Sequence, residues 1–207
     1  MKREWRKQER ELYLPKKDPI ALFVPKMKFL VISGEGNPNG IDFSHCVEAL
    51  YGASYTVRMS HKSESVPDGY YEYTVYPLEG VWDLKDPERG SADKENYKYD
   101  LMIRQPDFLT EDLAKSMLIK ASEKKSNERI KSIRYMEIEE GSCVQLLHLG
   151  SYEEEPESFD KIKAFCSAAG IQRLSKVHRE IYLTDPRKTA PDKNKTVLRV
   201  KVNRLPE

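Results

Sequence analysis

The sequence predicts an α+β fold built from two pseudo-symmetric strand–helix–strand–strand modules. Three observations carry that expectation. Short apolar strands alternate with two amphipathic helices of clear 3.6-residue spacing. The order strand, helix, strand, loop, strand occurs twice. Each pass takes about 90 to 100 residues, the length of one supersecondary unit repeated. A chain of 207 residues suits one such domain, or two small halves sharing a core.

Residues 1–19 form a charged, helical lead-in that packs loosely, with Trp5 and Leu12 as its anchors. The domain proper runs from 20 to 207, with modules over 20–106 and 130–207 joined by a helical connector. Lys28–Glu35 is a buried strand, closed by the turn-rich G-E-G-N-P-N-G. Asp42 caps a helix reaching Met59, with Phe43, Val47, Leu50, Tyr51 and Ser54 on one face. Tyr70–Trp82 is a strand region interrupted at Pro77, which has no N–H to give a ladder. Tyr97–Arg104 is the third strand. Thr110 caps the connector helix to Ser126, with Glu111 and Asp112 in its first turn and lysines later, as the helix dipole prefers.

The second pass opens with the buried strand Ser142–Gly150. A helix follows over Glu155–Ala168, turning Phe159, Ile162, Ala164 and Phe165 inward and stopping before Gly170. Lys176–Asp185 and Thr196–Val202 complete it. Tyr76-Pro77 is expected to mirror Asp185-Pro186. One helix per module covers one sheet face, so the helices lie outside and the other faces meet at a central aromatic cleft.

Composition narrows the function. Net charge is +1, so no strong field selects nucleic acid or an anionic membrane. The chain has no apolar run of about 20 residues and no apolar signal segment, so a cytoplasmic location is expected. Cys46, Cys143 and Cys166 are scattered and form neither a disulfide framework nor a metal cluster. There is no P-loop, dinucleotide fingerprint, zinc spacing or Ser-His-Asp set. Neither a cofactor nor a metal is expected, and the oligomeric state is open.

The candidate site centres on Lys176–Asp185. Alternation puts Val177, Ile181 and Leu183 on one face and His178, Glu180 and Tyr182 on the other. A carboxylate between an imidazole and a phenol either faces water or lines a cavity suited to one negative charge among rings. Twelve tyrosines and two tryptophans favour surfaces that are both apolar and hydrogen-bonding, or cross-strand ring pairs. The acidic run Glu153–Glu155 reads as helix N-terminal charge rather than a metal site.

In this order the sequence resembles the GyrI-like small-molecule-binding family. The match is carried by Cys143–Gly150 with Tyr152 and Glu153-Glu154-Glu155-Pro156, by His178–Arg187, and by Lys195–Arg199. Leu78-Glu79-Gly80-Val81-Trp82 and Met102-Ile103-Arg104-Gln105-Pro106 resemble a stand-alone subgroup without a DNA-binding domain. The resemblance implies a buried glutamate at Glu180, in a cleft for hydrophobic aromatic or cationic molecules. It further implies a hydrolase that opens the cyclopropane of duocarmycin- and yatakemycin-type DNA alkylators. The competing implication is a passive multidrug-sequestering protein, and a weaker one is an inhibitor of DNA gyrase. Glu180 is the expected base and Tyr182 its catalytic partner. Trp82, Tyr71, Tyr99, Met102, His148 and Tyr152 are the expected substrate contacts. For Trp82 a place in the core competes with the pocket, as do a core or hinge role for His148 and helix capping for Tyr152.

Overall fold

The computed structural model describes residues 2–63 and 66–205. Its elements, in chain order, are α1 (Trp5–Gln8), α2 (Arg10–Tyr13), β1 (Ile20–Val24), β2 (Met27–Glu35), α3 (Ile41–Arg58), β3 (Leu78–Leu84), β4 (Tyr97–Arg104), α4 (Glu111–Lys124), β5 (Arg134–Ile138), β6 (Gly141–Leu149), α5 (Glu155–Ala168), β7 (His178–Tyr182) and β8 (Lys195–Lys201). They sort into two compact units. Unit 1 comprises Met27–Leu78 and Trp82–Ile138, with the first few residues of the chain. Unit 2 comprises Trp5–Lys26, Glu79–Val81 and the chain from Glu139 onward.

In unit 1, β2 pairs antiparallel with β4 on one side and β5 on the other. Its apolar run Phe29–Ile32 is fully buried. Helix α3 packs on β2 and β4. It turns Cys46, Ala49, Leu50, Ala53, Ser54 and Val57 inward, at the three- and four-residue steps of one helical face. The hydroxyl of Thr110 accepts from the Leu113 N–H at 3.3 Å and caps α4 as expected.

In unit 1 one expectation fails and one strand is new. The strand begins at Leu78, past Pro77, and before it only Tyr73 makes a ladder contact, a bridge to Arg3. The reason lies in the side chains: Tyr70, Tyr71 and Tyr73 pack their rings on Phe108, and the Tyr73 carbonyl is taken by Arg58 Nε at 2.9 Å. Strand β5 was not anticipated. It is a mostly exposed edge whose R-Y-M-E-I carries no apolar alternation.

Unit 2 orders its antiparallel strands β1–β6–β8–β7. Ile162 and Cys166 of α5 pack on Val144, Leu146, Leu198 and Val200, which share one sheet face. The opposite face is covered by the N-terminal segment of the same unit. Carbonyls of Glu11 and Leu12 accept from Gln145 Nε2 and Arg199 Nη2, each at 2.6 Å. Trp5 and Tyr13 are 4% and 1% exposed. The lead-in is therefore firmly packed, and Tyr13 rather than Leu12 is its second anchor.

That covered face holds a closed ion network. Arg179 reaches Glu79 at 2.6 Å and Glu140 at 2.9 Å, and Arg199 reaches Glu140 at 2.8 Å. Tyr13 donates to the other oxygen of Glu79 at 3.3 Å. Burial alone would raise the Glu140 carboxyl, but the two guanidiniums hold it below its ordinary value. Two cations answer two anions, so the network is neutral and its members are partnered.

The modules repeat one loop device, at a place the sequence reading missed. Asp86-Pro87 follows β3 as Asp185-Pro186 follows β7, whereas Tyr76-Pro77 precedes its strand. Each loop closes on a buried asparagine before the last strand of its module, Asn96 at 0% and Asn194 at 5% exposure. Asn96 donates to the Asp86 carbonyl at 2.7 Å and accepts from the Asp86 N–H at 3.0 Å.

Candidate functional site: two carboxyl groups beneath helix α5

Strand β7 positions the site. Glu180 stands opposite Leu198 in the β7–β8 register and shares its face, which is the face α5 covers. This overturns the expectation that Glu180 would look away from the helices. It follows from pleating: Arg179, one residue earlier, points to the other face and into the ion network.

Glu180 is 8% exposed and held at both oxygens. Tyr182 donates to Oε2 at 2.8 Å, and His178 Nε2 lies 3.1 Å from Oε1. Residues i−2, i and i+2 of one strand thus form one hydrogen-bonded row. The His178 ring meets Phe159 of α5 edge-on at 4.9 Å, which fixes its plane. Tyr152, 39% exposed, meets the Tyr182 ring edge-on at 6.4 Å. Burial, then the charge of Glu180, pushes its hydroxyl above the ordinary phenol range.

The acidic run before α5 divides. Glu154 Oε2 accepts from the Ser151 N–H at 2.8 Å, completing a capping box. It lies against Gly150, whose φ of +135° and lack of Cβ are both needed there. Glu155, the first residue of α5 and so at the helix N-terminus as expected, turns inward and is 7% exposed. Its Oε1 is buried without a hydrogen-bond partner. Desolvation, followed by repulsion from Glu180 and Glu153, pushes its carboxyl up to about 9, so it carries a proton at neutral pH. One donor atom from each of Glu155, His178 and Glu180 lies within 4.8 Å of the other two.

The structure therefore brings together Glu180, Tyr182 and Tyr152, and adds Glu155 and His178. His148 is 3% exposed, with Nδ1 at 2.9 Å from Ser158 Oγ and Nε2 at 2.9 Å from the Ser151 carbonyl. Both ring nitrogens are engaged in holding the β6–α5 turn. Trp82 and Tyr99, 6% and 5% exposed, stand in unit 1 in a ring cluster with Phe43. Tyr71 belongs to the Tyr73–Phe108 cluster, under the guanidinium of Arg3 at 4.1 Å. Met102 is a 1% exposed strand residue opposite Val31.

Sequence reasoning missed Glu155 and gave His178 no role. The Ser151–Glu154 pair is a readable capping box, and it assigns Glu154 to the cap and leaves Glu155 one residue beyond it. Chemically the cluster offers a neutral acid beside a buried carboxylate aligned by two donors. That arrangement can move a proton to and from a bound molecule.

The GyrI-like small molecule binding domain matches residues 18–203. A hydrolase from Listeria innocua is 34% identical over 97% of this chain and all of its own, with a TM-score of 0.89. An uncharacterised conserved protein from the same organism is 35% identical, with the same coverage and a TM-score of 0.91. The C-terminal domain of EcmrR, 13% identical over 91% of this chain and 98% of its own, shares the fold at a TM-score of 0.53. No curated protein matches. Among the described residues no helix is long and apolar enough to cross a membrane. The chain belongs to the GyrI-like small-molecule-binding family.

Proposed function

We propose that the protein is a cofactor-independent hydrolase that opens the cyclopropane ring of duocarmycin- and yatakemycin-type alkylators with water. The observation that carries this reading is Glu180: a buried carboxylate fixed at both oxygens, beside a second carboxyl that holds the proton. The Listeria relative that is a hydrolase, 34% identical over almost the full chain, supports the reaction class.

The step balances as a net addition of water. Water oxygen bonds to the cyclopropane CH2 carbon as Glu180 takes one of its protons. The C–C bond breaks, and its electron pair moves through the conjugated ring onto the carbonyl oxygen as a phenolate. A proton returned to that oxygen gives the phenol. The strained ring is already electrophilic, so placing one water and one base supplies most of what the barrier requires. Tyr182 holds Glu180 in line, and the exposed ring of Tyr152 offers a flat substrate a surface to stack on.

A buried carboxylate next to the rings of Tyr152 and Tyr182 also favours a second reading, sequestration of hydrophobic cations without chemistry. One experiment separates the two. A duocarmycin-type cyclopropane compound is incubated in 18O-water with a small fraction of an equivalent of protein. Complete conversion to a ring-opened alcohol carrying 18O is expected. Conversion no faster than buffer, with saturation at one ligand per protein, would leave sequestration.

A further inference from the structure

We propose that unit 2 binds a divalent transition-metal ion of the zinc class, ligated by the Glu155 carboxyl, His178 Nε2 and Glu180 Oε1. The spacing comes first. The 3.1 Å between His178 Nε2 and Glu180 Oε1 is what two ligands adopt around an ion with bonds of about 2.0–2.2 Å. A donor atom of Glu155 lies within 4.8 Å of both, so modest side-chain movement closes a three-ligand set.

A second, independent observation points the same way. Glu155 Oε1 is buried and has no hydrogen-bond partner, and the residue as a whole is 7% exposed. An unmatched buried acceptor is costly, and a cation at this position would satisfy it. The supporting contacts are also in place. His178 Nδ1 lies 3.5 Å from the Lys176 carbonyl, which can take the ring proton when Nε2 exchanges its contact with Glu180 for a metal. Tyr182 holds the oxygen of Glu180 that the ion would not use, at 2.8 Å.

The donor set selects the ion. One imidazole and two carboxylates suit zinc and its neighbours, whereas calcium asks for six to eight oxygens and magnesium for an octahedron of them. Three protein ligands leave a position open, as in catalytic rather than structural sites. With the ion bound, the Oε1 lone pair of Glu180 is no longer available as a base, so the metal-loaded form is distinct from the one that carries the proposed hydrolysis.

The test needs no substrate, and its outcome is therefore separate from that of the hydrolase assay. The metal-free full chain is titrated with Co2+, following its visible d–d absorption. Cys46, Cys143 and Cys166 are buried, so thiolate bands do not confuse the signal. We expect saturation at one ion per chain, with the intensity of a four- or five-coordinate site, and reversal by Zn2+. Glu155→Gln and His178→Gln, checked for folding by circular dichroism, abolish the signal. Tyr182→Phe weakens binding by about 10- to 100-fold. Absence of saturable absorption, or an undiminished signal in whichever of Glu155→Gln and His178→Gln folds, overturns the proposal.

Discussion

In unit 1 the ground beneath the start of α3 is filled by rings. Trp82 of β3 stacks on Phe43 at 5.9 Å, and Tyr97 and Tyr99 close on it at 5.5 and 5.2 Å. In unit 2 the comparable ground beneath the start of α5 holds Glu155, His178 and Glu180, with the rings of Phe159, Tyr152 and Tyr182 beside them. The scaffold is the same in both: an antiparallel sheet, one covering helix, and an Asp-Pro loop closed by a buried asparagine. The rings satisfy one another by packing and need nothing more. The carboxyl groups do not, and Glu155 relieves the strain by keeping a proton. A single architecture thus yields a packing core in one unit and a chemically poised one in the other, according to which residue types lie under the helix.

Within unit 2 a further contrast separates charge that is satisfied from charge that is not. The Arg179 network is neutral and each of its charges is ion-paired, so removing one member strands the rest. Arg179→Ala should cost about 3–5 kcal/mol of stability in chemical denaturation. A loss below about 1 kcal/mol would mean the network is solvated and the contrast false.

The rings of unit 1 should be sensitive to shape rather than to charge. The Tyr99 ring lies over Gly34 of the paired strand, and a Cβ there would stand 2.5 Å from Tyr99 Cε2. Gly34→Ala is expected to cost about 1–3 kcal/mol through overpacking, independent of pH. Thermal melts at two pH values check both parts.

Unit 2 should instead show a pH dependence. The folded chain keeps a proton on Glu155 that the unfolded chain releases above the ordinary carboxylate range. Stability therefore falls as pH rises from that range through about 9, by up to about 1.4 kcal/mol per pH unit from this group. In Glu155→Gln the slope should flatten. An unchanged slope would remove the proton from Glu155.

Much of this was legible beforehand. Alternation in Lys176–Asp185 placed His178, Glu180 and Tyr182 in one row because a strand's period is fixed at two. The helices followed from their spacing, and α4 from its Thr110 cap. What alternation does not say is which row meets the helix, since that depends on strand order and on what covers the far face. The far face went to the N-terminal segment, whose backbone carbonyls reach Gln145 and Arg199 across more than a hundred residues of sequence. Arg179 escaped notice because an arginine among Val177, Ile181 and Leu183 has no meaning until Glu79 and Glu140 arrive beside it. Glu155 was hidden in a run of three like residues that only the capping geometry separates.

The measurement that bears most directly on the poised site is steady-state hydrolysis of a duocarmycin-type cyclopropane compound by wild type and Glu180→Gln, with substrate binding measured in parallel. Wild type should turn over many equivalents. Glu180→Gln should bind the neutral substrate as before while its kcat falls by about 100- to 10,000-fold, the range for a lost general base. Equal kcat in the two proteins, or a wild type that stops at one equivalent, would contradict the assignment of Glu180 as the base.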